Sequence, residues 1–316
     1  MALTGYNFPS LAAIKPYLEP AGTGRSAIWA RETAQRLRCT VCVGYPEIEA
    51  GTGTSPATYY NSLIVVDETG AVVHNYRKSF LYFTDETWAA EGKVEHGFHE
   101  LTLPRATDSA APRHIPTSFG ICMDINPYKF EAPYTAYEFA HRVLDSRSQL
   151  VVLSMAWLTA LGGEQLAALG NAPDMDTFSY WLNRFMPLLE TTMGHTGDVD
   201  GYGTAGEPAP RRVILVFANR AGEEPAADDT KPPARYAGTS AVVAVTQRPR
   251  TEGSRGGQVA GTDGEKPFDV KILCWDLLGA CQEGICFADT TAGPKMVFGL
   301  KARGSNGSAE SDGSDE

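Results

Sequence analysis

Two short apolar runs, Asn61-Ser-Leu-Ile-Val-Val-Asp67 and Ala71-Val-Val-His-Asn-Tyr76, flank a turn that ends at Gly70. That arrangement constrains the fold more than any other feature of the chain. Runs this short, rich in Val and Ile and joined by a tight turn, read as a β-hairpin. Further strand-like runs share the same composition: Cys39-Thr-Val-Cys-Val-Gly-Tyr45, Leu150-Val-Val-Leu-Ser-Met155, Val213-Ile-Leu-Val-Phe217, Thr239 to Val245, and Val270-Lys-Ile-Leu-Cys-Trp275. Helical patterns lie among them. Ser26 is placed to cap a helix to about Arg38, with Ile28, Trp29, Thr33, Ala34 and Leu37 on one face. Tyr134 to about Ser148 reads as helical. The clearest helix runs from Asp176 to Thr192 on a Phe178, Trp181, Leu182, Phe185, Leu188, Leu189 stripe, with Pro187 set to bend or end it. Hairpins mixed with strand–helix alternation predict a layered α/β protein rather than a purely parallel sheet.

The 316 residues suffice for one large α/β domain or two smaller ones, and no stretch separates two folded units. Residues 1–303 are therefore read as one domain. Segments near 194–211, 221–235 and 248–267 are poor in apolar residues and read as surface loops. The Gly/Ser/Asp/Glu-rich tail, 304–316, buries too little apolar surface to order itself. A net charge of −11 with no Lys/Arg run argues against a phosphate-tracking surface, so no nucleic-acid partner is expected. No apolar stretch approaches the ~20 residues of a membrane span, and the N-terminus lacks the pattern of a secretion signal. Six cysteines in a chain of this length do not form a disulfide framework, which suits a reducing, cytoplasmic setting.

Chemistry concentrates in Thr117-Ser-Phe-Gly-Ile-Cys-Met-Asp-Ile-Asn-Pro127. An apolar strand runs into Gly120, then Cys122, then a polar turn. Such a thiol stands at the end of a rigid element beside backbone N–H groups that can receive an anion. The plainer alternative is a structural core cysteine. A thiol nucleophile needs a cation for developing negative charge and a base for its proton. Lys78, in Tyr76-Arg-Lys-Ser-Phe-Leu-Tyr82, is the candidate cation, with a solvated lysine as the alternative. Glu86, eight residues on, is by itself any surface carboxylate. Cys122 is expected to be a low-pKa thiolate only if Lys78 is close.

Taken together and in order, these stretches resemble the nitrilase (carbon–nitrogen hydrolase) superfamily, and within it the fungal protein N-terminal asparagine amidohydrolases. The likeness runs through Ala2-Leu-Thr-Gly-Tyr-Asn-Phe8, Gly44-Tyr-Pro-Glu47, Tyr76 to Tyr82 with Asp85-Glu-Thr-Trp88, and Gly120-Ile-Cys-Met-Asp-Ile-Asn-Pro-Tyr-Lys-Phe130. It continues in Ser154-Met-Ala-Trp157, Phe217-Ala-Asn-Arg-Ala-Gly222 and Tyr236-Ala-Gly-Thr-Ser240. The resemblance implies a four-layer α-β-β-α sandwich. It implies that Cys122 attacks the side-chain carboxamide of an N-terminal Asn, with Gln as a second substrate. Lys78 and the N–H of Met123 would hold the oxyanion, and Glu86 would position Lys78. Asp124 would be structural, as would Asn219, Arg220, Gly238 and Ser240. Trp157 would line the pocket, with a core position as the alternative. Peptide or protein N-termini are then the partners. The product would feed N-terminus-dependent degradation. Neither a cofactor nor a metal is implied, and self-association in the superfamily leaves a homo-oligomer open.

One departure accompanies the match. The family's general-base glutamate closes a first strand directly before the segment that Ala2-Leu-Thr-Gly-Tyr6 resembles, and Met1 stands where that strand would already have ended. The first strand and its base are therefore expected to be missing, with an upstream start codon as the simple account. Glu47 repeats the Pro-Glu wording but belongs to a later strand. Small-molecule amidase activity and a non-catalytic N-terminus-binding module remain the competing functions. Cys39-x-x-Cys42, and Cys274, Cys281 and Cys286, lack metal-site spacing, and His96 and His99 read as surface or turn residues.

Overall fold

The computed structural model describes residues 1–103, 112–195, 209–226, 233–250 and 267–298. Its first sheet has the order β1 (Glu19–Pro20), β2 (Val41–Glu49), β3 (Thr58–Val66), β4 (Val72–Arg77), and the expected hairpin is its β3–β4 pair. The second sheet starts with β5 (Phe98–Leu103), β6 (Arg113–Ile121), β7 (Leu150–Met155) and β8 (Arg211–Asn219). A small ladder, β9 (Glu223–Glu224) with β10 (Ala234–Arg235), precedes β11 (Ala241–Pro249), β12 (Phe268–Leu277) and β13 (Met296–Phe298). The seven strands run β13-β12-β11-β8-β7-β6-β5, parallel through β6-β7-β8 and antiparallel outside that centre.

Strand alternation sorts the apolar residues into layers. On β3, Leu63 and Val65 join Tyr76, Phe119 and Ile121 between the two sheets, while Ile64 and Val66 face outward. On β7, Leu150 and Val152 face the inter-sheet layer, while Val151, Leu153 and Met155 face the helices on the far side. The helices are α1 (Leu11–Ile14), α2 (Arg25–Leu37), α3 (Phe83–Glu86), α4 (Glu138–Asp145), α5 (Gly163–Leu169), α6 (Met175–Asn183) and α7 (Met186–Glu190). Helix α2 covers the outer face of the first sheet, and α4, α6 and α7 cover that of the second. This is the expected α-β-β-α layering.

Several local expectations are corrected. Helix α2 buries Ala27, Ala30 and Ala34 on the sheet and leaves Ile28, Trp29 and Leu37 exposed, because a small-residue stripe lets the helix backbone approach the strands closely. Its N-cap is Gly24; Ser26 lies inside the helix, buried, and bonds the Glu19 carboxylate. The long helix at 176–192 is two helices, broken at Arg184 and Phe185, and Pro187 opens the second, where its missing N–H costs nothing. The helix expected from Tyr134 shortens to α4, preceded by a separate turn, Tyr134–Ala136. The loop expected over 221–235 begins and ends in the β9–β10 ladder. Most of the loops at 194–211 and 248–267, the centre of 221–235, and the tail 304–316 lie outside the described residues. No helix among the described residues is long and apolar enough to cross a membrane.

Candidate active site

Strand β6 ends at Ile121, and Cys122 turns the chain with φ +46° into the short helical turn Cys122–Ile125. A left-handed φ at a non-glycine residue is unusual and lifts the thiol out of the strand direction. Gly120 is required just before it: a Cβ there would stand 2.8 Å from both Leu153 Cδ2 and Phe139 Cε2. Asp124 holds the turn. One carboxylate oxygen accepts from Ile121 N (2.7 Å) and the Tyr76 hydroxyl (2.8 Å); the other accepts from Ser79 N (3.1 Å) and Phe80 N (2.8 Å). The turn at Cys122 and the loop after β4 are thereby fastened to one buried carboxylate.

That loop carries Lys78, whose side chain is fully buried. Its Nζ donates to Asp85 Oδ2 at 2.5 Å. Asp85, also fully buried, accepts further bonds from Asn61 Nδ2 (3.0 Å), Tyr82 N (3.0 Å) and the Tyr6 hydroxyl (3.2 Å). Burial works against the lysine charge, but Asp85 and then Cys122 outweigh it, and the Lys78 pKa is raised. Burial pushes the Cys122 thiol above its ordinary value; Lys78 pulls it down without prevailing, and Asp85 pushes it up again. The expected low-pKa thiolate is corrected on this point: Lys78 acts on Cys122, yet desolvation wins, so the thiol needs a base to react.

Glu86 is also corrected. It is exposed, next to Asp85 on α3, and the carboxylate on Lys78 is Asp85. Asp85 stands three residues after Tyr82 and turns back onto its N–H, the position from which an acidic side chain caps a helix start, and that spacing was legible in the sequence. Tyr6 and Asn61 lay in stretches already singled out, but carried no role there.

Cys122 opens into a cavity of about 380 Å³. Buried Met123 and Ala156 line it alongside Cys122, Tyr6 and Trp157, and exposed Phe130 and Asp176 mark its mouth. Trp157 takes both of the positions left open for it. It lines the cavity, and its ring packs against Tyr180 at 5.6 Å and Trp181 at 6.0 Å in the core. Asn219 fixes it there by accepting from Trp157 N at 2.7 Å, while its own amide donates to Gly238 O at 2.8 Å. Asp176, in the first turn of α6, has no hydrogen-bond or ion-pair partner among the described residues, and sequence reasoning gave it no role beyond a helix start. Glu47 lies apart from this group: fully buried, it accepts from Arg77, Ser62 (2.7 Å) and Asn75 (2.8 Å). A thiol, a buried cation and adjacent backbone N–H groups form an arrangement suited to acyl transfer.

The carbon-nitrogen hydrolase family model matches residues 1–126, which hold both Lys78 and Cys122. A protein N-terminal amidase of Schizosaccharomyces pombe is 30% identical over 260 residues, 78% of this chain and 77% of its own length. This chain belongs to the carbon-nitrogen hydrolase family. A protein N-terminal amidase of Saccharomyces cerevisiae is 35% identical over 167 residues, half of this chain and 35% of that protein. Among solved structures, an N-terminal amidase with an Asn-Glu-Ala peptide aligns with 77% of this chain and 79% of its own, at a TM-score of 0.59 and 23% identity. Another, with a Gln-Val peptide, aligns at a TM-score of 0.58. At these identities the structural likeness speaks to the fold. The family makes this chain a hydrolase of carbon–nitrogen bonds.

Proposed function

We propose that this hydrolase removes the side-chain amide of an N-terminal Asn, and of Gln, from peptides and proteins. The observation that carries the reading is Asp176, whose carboxylate has no hydrogen-bond or ion-pair partner among the described residues, at the mouth of the cavity that holds Cys122: a carboxylate there suits the α-ammonium of a chain end. Phe130, Tyr82 and Trp157 offer apolar surface to the second and later residues of such a peptide. The name shared by the two relatives supports the same substrate class.

In this mechanism the Cys122 thiolate adds to the carboxamide carbon, and the carbonyl oxygen becomes an oxyanion held by Lys78 and the Met123 N–H. The tetrahedral adduct collapses with transfer of a proton to nitrogen and departure of ammonia, leaving a thioester. Water then hydrolyses the thioester to Asp or Glu and regenerates the thiol. Asp85 keeps Lys78 charged and aimed. Among the described residues, the carboxylates tied into the Lys78 and Cys122 loops, Asp85 and Asp124, are already engaged. New acidic N-termini would enter N-terminus-dependent degradation in the cytoplasm, where the six free cysteines stay reduced.

The deciding experiment compares ammonia release from an Asn-Gly peptide, its N-acetylated form and a free aliphatic amide. Turnover confined to the free-amine peptide supports the reading. Equal turnover of all three would make the protein a small-molecule amidase. Saturable peptide binding without ammonia release favours the binding-module alternative, which the raised Cys122 pKa makes worth testing.

A further inference from the structure

A second cavity, of about 180 Å³, shares no lining residue with the first. It lies between α4 and the turn that leads into β5, over Ser118 and Phe119 of β6. Arg142 of α4 lines it, half-buried, with its guanidinium against the rings of Phe80 (5.4 Å) and Phe139 (5.3 Å). Among the described residues its buried Nη2 has no hydrogen-bond partner and no carboxylate lies within ion-pair distance of Arg142, although its charge acts on the buried Asp124 from farther off. A buried guanidinium nitrogen without an acceptor is uncommon and unfavourable. Ser146 and Ser118 add hydroxyls, linked through Ser148 at 2.8 and 2.7 Å. At the rim stand two exposed carboxylates, Glu95 and Asp145, which are likewise without an ion-pair partner among the described residues.

A cation within and two anions at the mouth form the mirror image of a zwitterion. We propose that this cavity binds a free α-amino acid with a small side chain, its carboxylate on Arg142 and its ammonium at Asp145 and Glu95. The carboxylate supplies the acceptor the guanidinium lacks, in the bidentate geometry arginine favours. At about 180 Å³ the cavity has room for an amino acid of the size of glycine or alanine. Arg142 also ties the cavity to the catalytic loop. Phe80, on which its guanidinium rests, lies two residues beyond Lys78 and donates its N–H to Asp124 at 2.8 Å.

Titration calorimetry on the full chain with Cys122 alkylated, so that the first cavity is blocked, tests this. Glycine and L-alanine should bind saturably at one site. Acetate, methylamine and L-tryptophan should bind at least tenfold more weakly or not at all. Arg142→Gln should abolish binding, and the rim variant Asp145→Asn, at an exposed position, should weaken it several-fold while keeping the parent thermal transition. If Arg142→Gln fails to fold, Asp145→Asn and the acetate comparison still decide. No saturable binding of glycine or alanine, acetate binding as well as glycine, or unchanged affinity in Asp145→Asn would overturn the proposal.

Discussion

At the scale of single residues the site turns on which carboxylate touches Lys78. Asp85 and Glu86 are neighbours in sequence, but Asp85 is buried on the Nζ and Glu86 is in solvent. Asp85→Asn keeps the shape and removes the charge that holds Lys78 protonated against desolvation, so kcat should fall by about 10²-fold or more. Glu86→Gln should leave kcat at the parent value, and steady-state ammonia release separates the two. Lys78 is also the group that pulls the Cys122 pKa down. Its removal in Lys78→Ala should move the thiol further up. Alkylation of Cys122 by iodoacetamide at neutral pH should then slow about tenfold or more, because a nearby opposite charge shifts a pKa by ~1–3 units. An unchanged alkylation rate, tracked by mass spectrometry, would show that the two groups are uncoupled.

Among the elements, β6 and its turn carry the heaviest constraint. The strand must pass Leu153 and Phe139 with no side chain at Gly120, then reverse direction at Cys122 in a left-handed conformation. Gly120→Ala forces a methyl into contacts of 2.8 Å with two buried side chains. That overpacking should cost about 1–3 kcal/mol in denaturant melts. Activity should fall more steeply than stability, because the displaced strand end is the one that aims the thiol. The sequence contained the small residue and the turn; the close approach of α4 and β7 that makes glycine necessary is a matter of packing. The same limit explains α2. Its apolar residues were legible, but which of them meet the sheet depended on how closely helix and strands approach, and the alanines won.

For the molecule as a whole, the two sheets meet through His74 as well as through aliphatic residues. The ring of His74 on β4 stacks on His99 of β5 at 4.9 Å, lies 5.3 Å from Phe119 of β6, and bonds His96 O through Nε2. Burial, then the neighbouring His99, lowers its pKa to about 4, and the His96 carbonyl only partly offsets this. An unfolded histidine titrates near 6.5. The unfolded chain therefore binds more protons between the two values, and His74 contributes stability above pH ~6.5 that is lost as pH falls toward 4. Thermal melts of the parent should decline over that window, and His74→Gln should flatten the decline. An equal slope in both would remove His74 as the cause.

The sequence by itself determined the layered class, the strand runs, and the placing of a cysteine at a strand end with a lysine in the loop after another strand. Those features are written in local pattern: apolar alternation, turn residues, and a thiol at a strand end ahead of a polar turn. Tertiary structure decided the rest. It chose Asp85 over Glu86, assembled Tyr6 and Asn61 around it, brought Asp176 to the cavity mouth, and raised the Cys122 pKa where nearness to Lys78 alone predicted a fall. Each of those outcomes depends on distance and desolvation between segments far apart in the chain: Tyr6 and Asp85, Asn61 and Asp85, Lys78 and Cys122. Charge energies at such sites are set by what surrounds the group after folding, and a linear pattern does not contain that information.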